Sequence, residues 1–574
     1  MYRFMRMITL GLFLAGGASP GAAEPRWTGM HGPEGAAVWK DAKPPTTWDG
    51  ATGSNILWRA PLANYGFGMP VVAQGRVFVV CEPGWKHRWP VLQGFELATG
   101  KLAWERELDS FALRSELSGA QRAELGKRLD EEHAFNRDWY TARYEFDEGT
   151  AEGRERGTAI LKRLGLVPAE AAAPESFVVA IKLTPDPVKE QARKERGERL
   201  AKAGWLPDSW HPAGYASGTM SIGHAFPSPV TDGERIYVTT ALEGVWCFRP
   251  DGTLVWTTAP NPIPRYSEFC GRARSPILYG NLFITDVGGN VRFMDKNTGK
   301  VLRTEKAVKG HGTIVSPVVI RVDGKDLLLV GTGDPGAQTD EALTAYRLPG
   351  GEPVRVTGWP NPGNIMRVNS DRPDTVYFMG GGEHGGWVQK GGNVRLAAGR
   401  PSDWPVPPAA VQFAWDGDHL VGKVLWYGID RVTLSANSST VLYHSGRIYC
   451  SGHKGPGAVV DALTGKVLAE KVMAGGYHNQ IADGRIYNPS SSGADGLMRV
   501  INLDGTLVAE NRLPAARVEG EKQAQIRAQE RAYNAKGQTH WQNFNFSMPF
   551  TIAGDRILVR GNDDLWCIGA KGAP

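Results

Sequence analysis

The sequence predicts an all-β protein: an eight-bladed β-propeller of four-stranded antiparallel blades, with helical insertions. Three observations predict it. First, one unit recurs: a strand, a glycine turn, a Val/Ile-rich strand, then a hairpin around Asp/Thr-Gly-Lys. It reads MPVVAQGRVFVV with ELATGKLAWERE at 69–107, SPVTDGERIYVTT with RPDGTLVWTT at 228–258, and SPILYGNLFITD with DKNTGKVLRTE at 275–305. Later copies are STVLYHSGRIYCS with DALTGKVLAEK, IADGRIYNP with NLDGTLVAEN, and MPFTIAGDRILVR with DDLWCIGA. Second, glycine is abundant, at 72 of 574 residues, as many tight turns require. Third, the last unit stops after three strands at DDLWCIGAKGAP, while NILWRAPL at 55–62 stands before the first unit. The N-terminal segment is expected to supply the missing strand, which removes a free edge and ties the two ends together.

The elements follow in order. Residues 1–23 read as an export signal: Arg3 and Arg6 precede an apolar run from Met7 to Ala15, and small residues end at Ala23. That run is too short to span a bilayer, which takes about 20 residues. Residues 24–109 hold a leader, the closing strand and the first blade. Residues 110–217 form a charged helical insertion, in which Ser118 is an N-cap and Leu125, Leu129 and His133 share one helix face. Residues 218–515 are propeller blades, 516–541 a short second helical insertion, and 542–574 the last blade. Blade openings are expected near Gly66, Phe226, Arg274, Val315, Asn369, Asn437, His478 and Phe546. The fifth blade is degenerate and carries a long Gly/Pro-rich excursion. Within each blade the Pro-containing segment is innermost. The fourth strand ends in a tryptophan, Trp104 or Trp256, able to wedge between neighbouring blades.

Composition narrows the function classes. The formal net charge is +5, and removing Arg3 and Arg6 with the first 23 residues leaves +3. A chain so nearly balanced does not call for nucleic acid or an anionic membrane as partner. The five cysteines, Cys81, Cys247, Cys270, Cys450 and Cys567, lie in or beside strand-like runs, with no CxxC, no haem motif and no adjacent pair. They read as small buried hydrophobes, with one disulfide left open. The literal G-x-G-x-x-G at Gly380, Gly382 and Gly385 is followed by more glycine rather than a helix, so it is not a dinucleotide site. It reads instead as a loop from which Glu383, His384 and Trp387 reach over the channel mouth.

The repeat, its Thr-Gly-Lys turns and the Trp104 and Trp256 closures resemble the PQQ-like (pyrroloquinoline-quinone-type) β-propeller superfamily. The opening HGPEGAAVWKDAKPPTTWDGATGSNILWRAPL resembles the leader of its secreted, eight-bladed members. The resemblance covers most of the chain outside the two insertions and is specific for fold rather than activity. It implies roles as different as quinoprotein dehydrogenase and the propeller subunit of the outer-membrane barrel-assembly machine. The dehydrogenases hold PQQ on the axis with Ca²⁺, a catalytic Asp and often a disulfide between adjacent cysteines. This chain has no adjacent cysteines and no Glu/Asn/Asp set that matches residue by residue, so its residues do not support PQQ as cofactor.

Residues just before each inner strand ring one mouth of a propeller's channel. Here they are Tyr65, His224, Arg272, Arg274, His311, Asn437, Ser438, His478, Asn479, Asn545 and Ser547. Arg offers bidentate contacts to carboxylates, and Asn and His offer directional hydrogen bonds. Trp541 and Phe544 add stacking surfaces suited to a sugar. The same polarity is also what any wet channel mouth requires. The three histidines come from different blades, so their spacing gives no metal motif. Glu268, Asp286 and Asp334 are carboxylates near blade loops, the last two suited to capping turns. The expectation is an exported protein, periplasmic or secreted. It would bind a carbohydrate, an anionic small molecule or an envelope protein through this mouth and the inserted helices. A PQQ/Ca-dependent oxidoreductase acting on an alcohol or sugar is the alternative. A carbohydrate hydrolase or lyase would need two facing carboxylates that the sequence does not reveal.

Overall fold

A computed structural model describes residues 37–63, 66, 68–81, 89–109, 118–124, 149–182, 227–240, 244–258, 275–287, 290–306, 317–331, 343–358, 365–369, 371–379, 409–427, 441–450, 456–474, 478–490, 496–514, 548–561 and 564–570, together with 29–30, 32, 112–113, 126–127, 130, 138, 141–142, 145–146, 387–388 and 394–395. Eight four-stranded antiparallel blades make a β-propeller, as the repeat predicts. Their inner strands are Val71–Ala73, Val230–Thr231, Ile277–Tyr279, Val318–Val322, Ile365–Asn369, Val441–His444, Gln480–Ala482 and Phe550–Ala553. Second and third strands are buried along nearly their whole length, for example at every residue of Ile236–Thr239 and Val245–Phe248. Each sheet packs against a neighbour on either side, so side chains of both faces must be apolar. The core is accordingly a ring of slabs between blades: one between blades 2 and 3, one between 4 and 5, one between 5 and 6.

One residue type locks several of these joints. Trp58, Trp104, Trp256 and Trp426 stand on outer strands of blades 8, 1, 2 and 5. Their indole N–H groups donate to Leu97, Pro250, Lys296 and Ala462 carbonyls of the next blade, each at 2.9 Å. Each ring lies on a turn glycine of that blade: Gly100, Gly252, Gly299 or Gly465. A Cβ there would come within 2.4–2.7 Å of the indole, and all four glycines have positive φ, so the position favours glycine twice over. The Thr-Gly-Lys signature is thus both a turn and the seat of a neighbour's tryptophan. In blades 1, 2 and 8 the register shifts just before the tryptophan, a bulge that re-aims it toward the next sheet.

Closure follows the expected route. Ile56–Pro61 pairs antiparallel with Asp564–Ile568 and completes blade 8. Two strands were not foreseen. Val38–Trp39 adds in parallel to the inner strand of blade 7, and Val356–Thr357 adds in parallel to the outer strand of blade 5 after the chain leaves blade 4. Asn369, read as the opening of blade 5, instead ends its inner strand. That blade's prolines, Pro360 and Pro362, stand ahead of Gly363 and Asn364 rather than immediately before the first strand, so the usual punctuation was displaced. Its long excursion lies between the second and third strands and contains a short hairpin, in which Trp387 pairs with Arg395.

In the first insertion Ser118 caps as expected. Its hydroxyl accepts from Gln121 N at 3.2 Å, and Gln121 Oε1 accepts from Ser118 N at 2.8 Å, a reciprocal capping box. Leu125, Leu129 and the 183–226 stretch lie outside the described residues, as does the whole 516–541 insertion. The described helices are α1 (Ala151–Arg163), capped by Thr150, and α2 (Phe177–Lys182). They pack with Ala142, Phe146 and Val167 into a small cluster of their own.

Candidate functional site

Antiparallel strands alternate direction, so every connection into an inner strand, and every link from second to third strand, lies on one face. Turns between first and second strands, and between third and fourth, lie on the other. Those turns run from two to five residues. The strand ends joined by 82–90, 332–342, 380–408, 428–440, 513–549 and, longest, 108–229 lie on the opposite face. The long connections therefore leave and rejoin the strands at one end of the channel, the end where the candidate ring was read.

At that end the inner strands clasp one another. The Met69 backbone N–H donates to Ser228 Oγ at 2.9 Å, and Ser228 N–H donates to Ser275 Oγ at 3.0 Å. Thr551 Oγ1 donates to the Pro70 carbonyl at 2.6 Å, and Gln480 Nε2 to the Phe550 carbonyl at 2.5 Å. The Ser-Pro repeat at 228 and 275 is therefore a circumferential hydrogen-bonded belt. The repeat was visible in sequence, but the role of its serine was not.

Of the candidate residues, His478 and Asn479 are described. Both are buried, with 6% and 0% of their surface exposed. Asn479 Oδ1 accepts from Asn488 Nδ2 of the second strand at 2.6 Å. This pair links the start of blade 7's inner strand to its second strand. Tyr65, His224, Arg272, Arg274, His311, Asn437, Trp541 and Asn545 lie outside the described residues, as do Glu268, Asp334, Glu383 and His384.

The sequence reading missed Arg560. It ends the second strand of blade 8 with no exposed surface. Its Nη1 donates to the Gly68 carbonyl at 3.1 Å and its Nη2 to Cys81 Sγ at 3.4 Å. Gly66 makes the room: a Cβ there would sit 2.3 Å from Nη2. The Cys81 thiol in turn donates to Gln93 Oε1 at 3.4 Å, and Gln93 Nε2 donates to Glu105 Oε2 at 2.7 Å. Gln93 Oε1 also accepts the Ala63 N–H. A polar line thus crosses the whole of blade 1, from its inner end to its outer strand, and starts at a buried guanidinium beside the channel mouth. An arginine inside a strand that otherwise reads RILV was the available signal.

The described cysteines are free, buried thiols: Cys81, Cys247, Cys450 and Cys567. Burial pushes Cys247, Cys450 and Cys567 up to about 12, which keeps them protonated and inert. Among the described residues no group of three His, Cys, Asp or Glu side chains gathers to hold a metal ion. The described inner ends offer hydroxyls and amides engaged with neighbouring blades.

The fold defines the class: this is an eight-bladed β-propeller. The family model described as outer membrane protein assembly factor BamB matches residues 29–128, which span the leader, the first blade and the start of the insertion. No curated protein matches the chain. Among solved structures it is similar to BamB from Moraxella catarrhalis, at 13% identity and a TM-score of 0.36, covering 61% of this chain and 84% of that one. It is similar to quinohemoprotein alcohol dehydrogenase from Comamonas testosteroni at 9% identity and TM-score 0.45, covering 96% and 81%. The quinohemoprotein alcohol dehydrogenase ADHIIG from Pseudomonas putida HK5 gives 10% and 0.45, with the same coverage. Likenesses this distant carry no argument about activity.

Proposed function

We propose that this protein is an exported binding and scaffold propeller. Its partner, a protein of the cell envelope, docks on the face that carries the long connections and the inserted helices. One observation carries the reading: the two faces differ, with turns of two to five residues on one and the strand ends that the long connections join on the other. Loops raised on a rigid scaffold are where recognition residues concentrate. The family model for an outer membrane assembly factor, matched over residues 29–128, supports the same compartment and class of partner. No helix among the described residues is long and apolar enough to cross a membrane.

The test places a photo-crosslinking residue at Glu155 or Glu170 in the insertion, and separately at Gln74 or Asp483 in the short turns, in the producing cell. A discrete crosslinked envelope protein from the insertion positions alone supports the proposal. Equal yields from both faces, or none from either, would count against it. Purified protein mixed with PQQ and Ca²⁺ is the companion assay. Saturable stabilisation, together with dye-linked oxidation of an alcohol or sugar, would replace the scaffold reading by the oxidoreductase. Stabilisation by a glycan or an organic anion instead would shift it to a small-molecule binding protein. Mass analysis of the exported chain checks the compartment, with Glu24 expected as its first residue.

A further inference from the structure

The joint between blades 7 and 8 lacks the tryptophan that locks others. In the outer strand of blade 7 the position matching Trp104 and Trp256 is Ala509. The leader occupies that joint instead. Val38 and Trp39 lie beside Ile481 and Ala482 on the axis-side edge of blade 7's inner strand, where Ile481 N donates to the Ala37 carbonyl at 2.9 Å. Trp39 is buried, and its indole N–H donates to Gln480 Oε1 at 2.7 Å. The Gln480 amide reaches on to blade 8 at Phe550. The leader then leaves the channel and runs outward between the two sheets. Lys43 N donates to the Gly554 carbonyl of blade 8 at 3.1 Å, and Tyr487 Oη of blade 7 donates to the Pro44 carbonyl at 3.1 Å. Farther out, Asn511 brackets the leader: Nδ2 donates to the Thr46 carbonyl at 3.0 Å and Oδ1 accepts from Trp48 N at 2.8 Å. Gly50 N donates to the Arg512 carbonyl at 2.9 Å, and a Cβ on Gly50 would fall 2.2 Å from Pro514 Cδ. Trp39, Ala42 and Trp48 share one buried cluster with Tyr487, Val500, Phe550 and Ile552.

We infer that residues 37–52 are a strap that locks the ring at the blade 7/8 joint, and that this is the joint at which the propeller opens when the strap is withdrawn. The strap holds side chains of both blades and differs from the closing strand at 56–61, which completes blade 8 alone. Its downstream end is an exposed turn at Ala51, Thr52 and Ser54, so strap and closing strand are separable without cutting a sheet.

The test uses the full chain with a protease site inserted between Thr52 and Gly53. After cleavage, the N-terminal piece is stripped from the ring at mild denaturant concentration. The expected result is a fall in Tm on the order of 5–10 °C. Faster amide exchange is expected at 480–490 and 550–560, with blades 3 to 5 unchanged. A synthetic peptide of residues 37–52 should restore both in a saturable way, because it binds the closed ring alone. The same peptide carrying Trp39→Ala and Trp48→Ala should restore neither. The inference is overturned if the stripped ring melts like the intact one, if excess peptide does not raise Tm, or if exchange rises evenly over all eight blades. It also fails if residues 53–574 fold only with the peptide present, since the strap would then belong to the folding unit itself.

Discussion

Trp104 touches Phe78 of its own blade and Phe248 of the next, with ring centroids 5.6 and 6.1 Å away, while its N–H holds the Pro250 carbonyl. Truncation to alanine empties a slab between two sheets that cannot collapse independently. Trp104→Ala should cost about 3–5 kcal/mol in chemical denaturation. Trp104→Phe keeps most of the apolar contact and loses the hydrogen bond, so about 1 kcal/mol is expected. Gly252→Ala should also destabilise, since it adds a methyl 2.7 Å from that indole at φ +88°. Thiol chemistry gives a second check at this scale. With four cysteines buried, native protein at pH 8 should label at Cys270 at most, and all five should label in denaturant. Equal labelling in both states would mean that the slabs open far more readily than this packing allows. The tryptophans were legible in the sequence as blade wedges. Their glycine seats were not, because the two lie 39 (Trp426 to Gly465) to 148 (Trp104 to Gly252) residues apart and meet only when neighbouring blades stack.

The hairpin turn is the repeated element. In the copy at 461–466 the Thr464 hydroxyl, at 2.8 Å, and the backbone N–H groups of Thr464 and Leu463 all donate to Asp461 Oδ1. Those bonds hold the Asp461 carboxyl below its ordinary value, the hydroxyl most of all. The Thr298 hydroxyl does the same for Asp295, and Asp251 and Asp504 are lowered by the hydrogen bonds of Thr253 and Thr506. Asp232 differs. Burial pushes its carboxyl up, but the Lys296 ammonium at 3.0 Å and the Arg235 and Glu234 N–H groups outweigh that, so the net shift is downward. A carboxylate whose folded pKa is depressed stabilises above its unfolded value and loses that contribution as pH falls through the folded one. Stability should therefore be flat above about pH 5 and fall steadily below the ordinary aspartate value near 4. Asp461→Asn should lower stability at pH 7 and flatten the acid limb, read from denaturant midpoints at several pH values. A limb unchanged in slope would remove Asp461 as a contributor. The turn was legible because its chemistry is local: six consecutive residues contain the acceptor, its donors and the glycine.

At the scale of the whole ring, stability should be modular. The insertion has its own cluster around Phe146, Leu161 and Phe177, and the propeller's slabs lie between blades. Replacing residues 118–182 by a short Gly/Ser linker should shift Tm by no more than roughly 3 °C, a small change on the scale expected for a large domain. Removing residues 1–62 should do far more, because it strips both the strap and the closing strand and leaves Asp564–Ile568 as an unpaired edge. Circular dichroism melts of the two deletions separate these cases. Similar losses would mean that the insertion is part of the ring's core.

The sequence by itself determined the eight-fold unit, the four strands within it, the tight turns and the pairing of the N-terminal strand with blade 8. All of these rest on local turn chemistry and period-two burial, or on a count that comes up one strand short. Tertiary structure alone decided where neighbouring blades meet. It bonded Asn479 to Asn488 across blade 7, buried Arg560 against Gly66, Gly68 and Cys81, and drew the leader between blades 7 and 8. The physical reason is separation along the chain. Arg560 and Gly68 lie 492 residues apart and Trp39 and Gln480 lie 441 apart, and contacts between such distant residues leave no periodic trace in either partner's own segment.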